Sequence, residues 1–268
     1  NLFPSISAAT KIGDLQMQLS YAAKTRRPSY RQLSNNVSYG NRFLMQSGNP
    51  LLQHEYIHTL SLGAMWKFIQ LGVSYKDRRH AIVFWSEQDN HNSAVSRITY
   101  TNLPSIKSIS ARLTFSPTIG IWTPEFSAAV QKQWLNLQTK VRTYKLNKPI
   151  WQLSFNNTFN FGKGWLLSME SYFVKKGNDE IGALASNTGS LDINLTKSFL
   201  KDRLAFRIGG TDLFHTRKEG GIGYTELMET IQVGTYDSRQ LVLTVTYKFN
   251  ASRSKYKGTG AGQAEKKR

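Results

Sequence analysis

The 268-residue chain contains no cysteine, so disulfides and thiolate-held metals are excluded. Acidic residues are scarce: 17 stand against 35 Lys and Arg, a formal net charge of +18. Such an excess points to an anionic neighbour, whether nucleic acid, phosphorylated lipid or an acidic ligand. The basic residues are spread along the chain, however, and concentrate only at 24–31, 76–79 and in the tail. A nucleic-acid interface gathers them on one face, so no nucleic acid is expected as partner. Nor is there any run of 18 apolar residues, which excludes a membrane-spanning helix and leaves strands open. The first residues, Asn1-Leu2-Phe3, show neither an initiating Met nor a signal peptide and read as mid-strand, as expected of a fragment or a processed form.

What is abundant is alternation. Residues 240–249 place Leu241, Leu243, Val245, Tyr247 and Phe249 on one face, against Val242, Thr244, Thr246 and Lys248 on the other. That is the side-chain period of a strand, and roughly 9 to 11 residues carry a tilted strand across a bilayer. The pattern recurs along the chain to give about eleven strands. Short turns at GD, KFI, TIGIWTP, FGKG and LKDR alternate with long polar connections at 24–55, 77–102, 136–149, 175–188 and 213–234. One strand face carries Ser, Thr, Asn and Gln where a soluble core needs Leu and Ile, so the apolar face must be the outside.

These features predict an all-β fold, an antiparallel transmembrane β-barrel spanning residues 1–249. The odd strand count and the mid-strand start predict the C-terminal portion of a larger barrel, since unclosed edges cannot be satisfied in lipid. Residues 250–268 read as a basic, Gly-rich flexible tail.

The candidate site residues fall into two groups. Lys67, Lys76, Arg112, Glu170, Asp192 and Arg207 alternate onto the polar face, as does Lys248, and are expected to face the lumen. Arg26, Arg27, Tyr30, Arg31 and Tyr39 lie in the first long connection and have the composition of a ligand-contacting surface. His54-Glu55-Tyr56-Ile57-His58 is a formal HExxH, which on a helix would bind zinc with the Glu as general base. On a strand the two histidines would stand about 13 Å apart, too far for one ion, and no third ligand follows. No metal, cofactor or catalytic residue is therefore expected, and a zinc peptidase is the weakest reading.

RRPSYRQLSNN (26–36), SGNPLLQHE (47–55), SFLKDRLAFRIGGTDLF (198–214) and YDSRQLVLTVTYKF (236–249) resemble elements of TonB-dependent outer-membrane receptors, most closely the Bacteroidota-type β-barrel family. The resemblance implies a 22-stranded barrel in the cell outer membrane, an N-terminal plug and N-terminal strands missing here, and import of a bulky nutrient. It also implies, as partners, a TonB-type energising complex acting through that missing part, and outer-membrane lipid and lipopolysaccharide around the barrel. The alternative is a passive or structural barrel.

Overall fold

A computed structural model describes residues 3–89, 92, 94–226, 229–234 and 236–249; the basic tail at 250–268 lies outside the described residues. In chain order the elements begin with β1 (Ser5–Ile12), β2 (Leu15–Arg26), a one-turn helix α1 (Tyr30–Leu33), β3 (Ser38–Asn41), β4 (Leu44–Gln46), β5 (Glu55–Trp66) and β6 (Ile69–Gln88). Then come β7 (Ser96–Phe115), β8 (Trp122–Trp134), β9 (Asn136–Gln138), β10 (Thr143–Lys145), β11 (Ile150–Gly162) and β12 (Trp165–Lys175). The last are β13 (Asn178–Asp179), β14 (Gly182–Leu184), β15 (Thr188–Phe199), β16 (Leu204–Thr211), β17 (Glu219–Tyr224), β18 (Glu229–Gly234) and β19 (Gln240–Tyr247).

Eleven of these strands form one antiparallel path, β1-β2-β5-β6-β7-β8-β11-β12-β15-β16-β19. It is an open meander, a partial barrel with β1 and β19 as its edges. Local chemistry sets the tight turns. Gly13 turns β1 into β2 at φ 59°, and Gly162 and Gly164 flank Lys163 at φ 76° and 80°, a left-handed region that suits residues without a Cβ.

The register carries each face across the sheet. Gln18 opposes Gly63, Gly63 opposes Gly72, Gly72 opposes Arg112, Arg112 opposes Ala129 and Ala129 opposes Gln152. Two residues along, Ser20, Ser61, Ser74, Ser110 and Gln131 form a second polar row. The opposite face is apolar and uncovered: Leu153 is 42% exposed, Phe155 43% and Leu243 70%. Asn157 interrupts that face, but it is buried and accepts the Trp122 indole N–H at 2.9 Å, which satisfies a polar group that lipid could not.

At 20 residues each, β6 and β7 run well past a bilayer's thickness. The hairpin breaks at His80 and Pro104, the one opposed pair missing from a continuous ladder. Proline lacks the N–H a ladder needs, and His80 adopts φ 52° while its carbonyl accepts from Asn102 Nδ2 at 2.7 Å. Beyond the break Ala81, Val83 and Trp85 pack with Ile106, Leu135, Leu137, Leu146 and Ile181. The buried apolar cluster thus belongs to the projecting end, not to the membrane-height sheet.

The long connections are more ordered than their composition predicts. Residues 24–55, read as a loop without period, contain the end of β2, α1 and the β3–β4 hairpin, whose β4 pairs in parallel with β7. The connections after β12 and β16 meet in a separate four-stranded sheet, β13-β14-β17-β18. Elements of two to six residues are too short to leave a legible period.

Candidate functional site: the concave polar face and its rim

The polar face is the concave one. A groove of about 510 Å³ runs over β2, β5, β6, β7, β8 and β11, lined by Gln18, Ser61, Ser74, Arg112, Gln131 and Gln152. A second, of about 720 Å³, adjoins it toward the short-turn end and shares Arg112. Arg112 is held by donation from Nη1 to Ser127 Oγ at 3.0 Å. Lys76 lies between Thr59 and Ser108 on the same face.

The acidic candidates sit farther round the sheet. Glu170 stands between Asn156 and Asp192 in adjacent strands. Asp192 accepts the Asp212 amide at 2.8 Å and Arg217 Nη2 at 3.4 Å. Arg207 donates from Nε to Asn194 Oδ1 at 2.9 Å. Arg112 and Lys76 therefore occupy one arc of the polar wall, and Glu170, Asp192 and Arg207 another. Lys67 is placed elsewhere: it forms the β5–β6 turn, pairs with Asp14 at 3.8 Å and lies over the Trp66 ring. Lys248 follows the end of β19, where its N–H donates to the Arg203 carbonyl at 2.8 Å.

In the first long connection, Ser29 caps α1 reciprocally with Gln32. Gly48 then closes the loop, its N–H donating to Ser34 O at 2.7 Å. A Cβ there would come within 2.5 Å of the Gln32 and Ser34 carbonyl oxygens, so only glycine permits the approach. A pocket of about 250 Å³ results, lined by Tyr30, Arg31, Asn36, Gln46 and Tyr100. Tyr30 is 85% exposed, while Tyr39 stands exposed on β3 and Arg27 lies exposed before α1.

Arg26 has a different role from its neighbours. It pairs with Glu55 at 2.7 Å and donates to the Ile82 carbonyl at 3.0 Å. Glu55 is fully buried; the Oε2 that meets Arg26 also accepts the Ile82 N–H at 3.2 Å, while Oε1 meets Arg78 Nε at 2.5 Å. Arg78 in turn pairs with Glu180. The carboxylate of the HExxH string is thus neutralised by two arginines. Its His58 lies on strand β5, with Nδ1 hydrogen-bonded to the Tyr21 hydroxyl at 2.8 Å. Among the described residues no three His, Asp or Glu side chains gather as a metal site would require.

Asp212 is the organiser that sequence reading passes over. Buried just past β16, it accepts the Ser238 hydroxyl and the Thr216 and Arg217 amides. Burial pushes its carboxyl pKa up, but those donors and the Arg217 charge outweigh it and hold the group below its ordinary value. Its sequence signal was only a polar residue in TDLF, inside a segment quoted for its resemblance.

A curved antiparallel sheet with a polar concave face, an apolar convex face and tight turns at one end only has few explanations. The profile of the outer membrane protein beta-barrel family matches residues 1–247. The chain belongs to that family. As an outer-membrane β-barrel, it presents its convex face to lipid and its concave face to the lumen, with short turns on the periplasmic side. No curated protein sequence matches it. Among solved structures it is similar to the siderophore receptor PirA from Pseudomonas aeruginosa, with a TM-score of 0.61 and 16% identity over 81% of this chain and 39% of that one. The copper transporter OprC superposes with a TM-score of 0.63 and 13% identity, covering 91% of this chain and 39% of that chain. The FrpB iron transporter from Neisseria meningitidis gives 0.59 and 15%, covering 93% and 38%. The chain thus spans about two fifths of the length of these structures, and at such identities the likeness is one of fold: a TonB-dependent-receptor-like barrel.

Proposed function

We propose that this barrel belongs to an importer that moves a bulky nutrient across the outer membrane, energised through a TonB-type partner acting on another part of the protein. The observation that carries the reading is the concave wall. Its two adjoining grooves run from β1 to β11 and carry Gln18, Ser61, Arg112 and Gln131, and its eleven strands already exceed the roughly 8 whose bore side chains can fill. The fold likeness to a siderophore receptor and to iron and copper transporters supports the same reading and makes a metal-bearing ligand the first class to test.

In this reading Tyr30, Arg31 and Tyr39, with Arg27 beside them, offer amphipathic contacts on the outer rim, and Arg112 and Lys76 face Glu170, Asp192 and Arg207 across the path. The test is uptake of a radio-iron siderophore panel by cells carrying the intact protein, with and without an uncoupler. Uptake that stops on de-energisation and falls in an Arg112→Ala strain, while barrel folding is unchanged, supports import. Uptake indifferent to the uncoupler favours a passive barrel instead.

A further inference from the structure

The convex face carries a groove that transport leaves unused. It lies at the extracellular end of β12 and β15, encloses about 500 Å³ and is lined by Phe173, Leu191, Phe214, Thr216 and Lys218, with Gly189 between the strands. Phe173 and Leu191 belong to the lipid-facing series of their strands, with Leu153 and Ser171 as their cross-strand partners. The groove therefore opens to the membrane, not to the lumen.

Its outer wall is built rather than draped. Thr216 Oγ1 donates to the Gly189 carbonyl at 2.9 Å, and the Lys218 amide donates to Thr188 Oγ1 at 2.8 Å. The segment's alternation sends Arg217 inward to Ser190 and Asp192 and leaves Thr216 and Lys218 outward. Gly189 lies close against β12 in the groove's floor: a Cβ there would stand 2.7 Å from the Tyr172 carbonyl oxygen. Phe214, 71% exposed, flanks the groove. Lys175 ends β12 two residues past Phe173 on the same face, opposite the exposed Trp151. Among the described residues neither Lys175 nor Lys218 has a carboxylate at ion-pair distance.

We propose that this groove is a lipopolysaccharide site, an acyl chain lying against Phe173, Leu191 and Phe214 and a lipid A phosphate lying between Lys218 and Lys175. The long loops stand outside the cell, so the groove sits at the outer leaflet's headgroup level, where lysines meet anionic lipid and aromatic side chains anchor. A zwitterionic phospholipid balances its phosphate with its own amine. Lipid A phosphates have no such internal partner, which matches two uncompensated lysines.

The test is native mass spectrometry of the full-length protein in detergent, titrated with bisphosphorylated lipid A, dephosphorylated lipid A or phosphatidylethanolamine. Bisphosphorylated lipid A is expected to be retained best. A K175Q/K218Q double variant is expected to weaken it about thirtyfold, the scale two interfacial lysines supply, whereas Lys163→Gln at the periplasmic end changes nothing. Heat-modifiable migration establishes that each variant folds; should the double variant fail to, the dephosphorylated lipid on the unaltered protein makes the same comparison. Equal retention of the three lipids, or undiminished lipid A binding by the folded double variant, overturns the site. Neither result bears on import.

Discussion

At the scale of single residues, two buried carboxylates hold the projecting end of the sheet together. Glu55 neutralises Arg26 and Arg78 and through them ties β2, β5 and β6 to Glu180 beside β14. Removing one partner from a buried pair leaves its charges uncompensated. Glu55→Gln is therefore expected to destabilise the folded barrel by about 3 kcal/mol, read as a lowered urea midpoint of tryptophan fluorescence in lipid vesicles. An unchanged midpoint would mean that water already screens the pair. Asp212 gives a pH dependence of defined sign. Its pKa is lowered in the folded chain, so its stabilisation is fully present above the unfolded value of about 3.9 and is lost as pH falls through the folded value. Amide exchange of the Thr216 and Arg217 N–H groups should accordingly quicken in acid, relative to strand amides, and Asp212→Asn should remove that acid dependence. Neither role is visible in sequence, because Arg78 lies 23 positions from Glu55 and Ser238 lies 26 from Asp212, and only the Thr216 and Arg217 contacts of Asp212 are local.

At the scale of elements, alternation decides which side of a strand meets lipid. On β19, Leu243 opposes Ile208 on the convex face, and Thr246 opposes Ala205 on the concave one. Leu243→Lys at mid-membrane is expected to cost about 2–4 kcal/mol, and Thr246→Lys much less, in the same vesicle unfolding assay. Equal sensitivity would refute the assignment of faces. Thr244 is a poorer comparison, since it opposes Arg207 and a lysine there adds like-charge repulsion. Most main strands are legible because they sustain period-two alternation over six or more residues; β1 alternates poorly and is marked instead by the Gly13 turn that follows it. The short strands β3, β4, β13 and β14 are not legible, because two to four residues carry no period and their pairing partners come from remote loops.

At the scale of the molecule, the sheet separates two solvents, and since these 268 residues contain no cysteine, a single one introduced into the wall reports which solvent it meets, any cysteine elsewhere in the protein being replaced first. Gly72 lies on the lumen row, with nothing within 4 Å of an added Cβ, and Leu71 is its lipid-facing neighbour. In the full-length protein reconstituted in vesicles, Gly72→Cys should react with a charged, membrane-impermeant maleimide and Leu71→Cys should resist it. Labelling of both at similar rates would contradict a lipid-embedded convex face. The same two-solvent geometry explains why the membrane-height wall has no apolar core of its own. Lipid covers one side and water wets the other, so the buried cluster around Val83, Ile106 and Leu137 forms only where the sheet leaves the bilayer.

The amino-acid sequence by itself determined the strand class, the strand count along the main path, the inverted faces and the end at which the long connections lie. Each follows from residue spacing within a dozen positions, where the period of two and the length of a turn act directly. Tertiary structure alone decided what those connections do. It gave Glu55 two arginines as partners, moved Lys67 from the lumen wall to a turn, joined two loops into a second sheet, and brought Lys218 to the lipid face beside Phe173. These depend on contacts between segments distant along the chain, which no local pattern encodes.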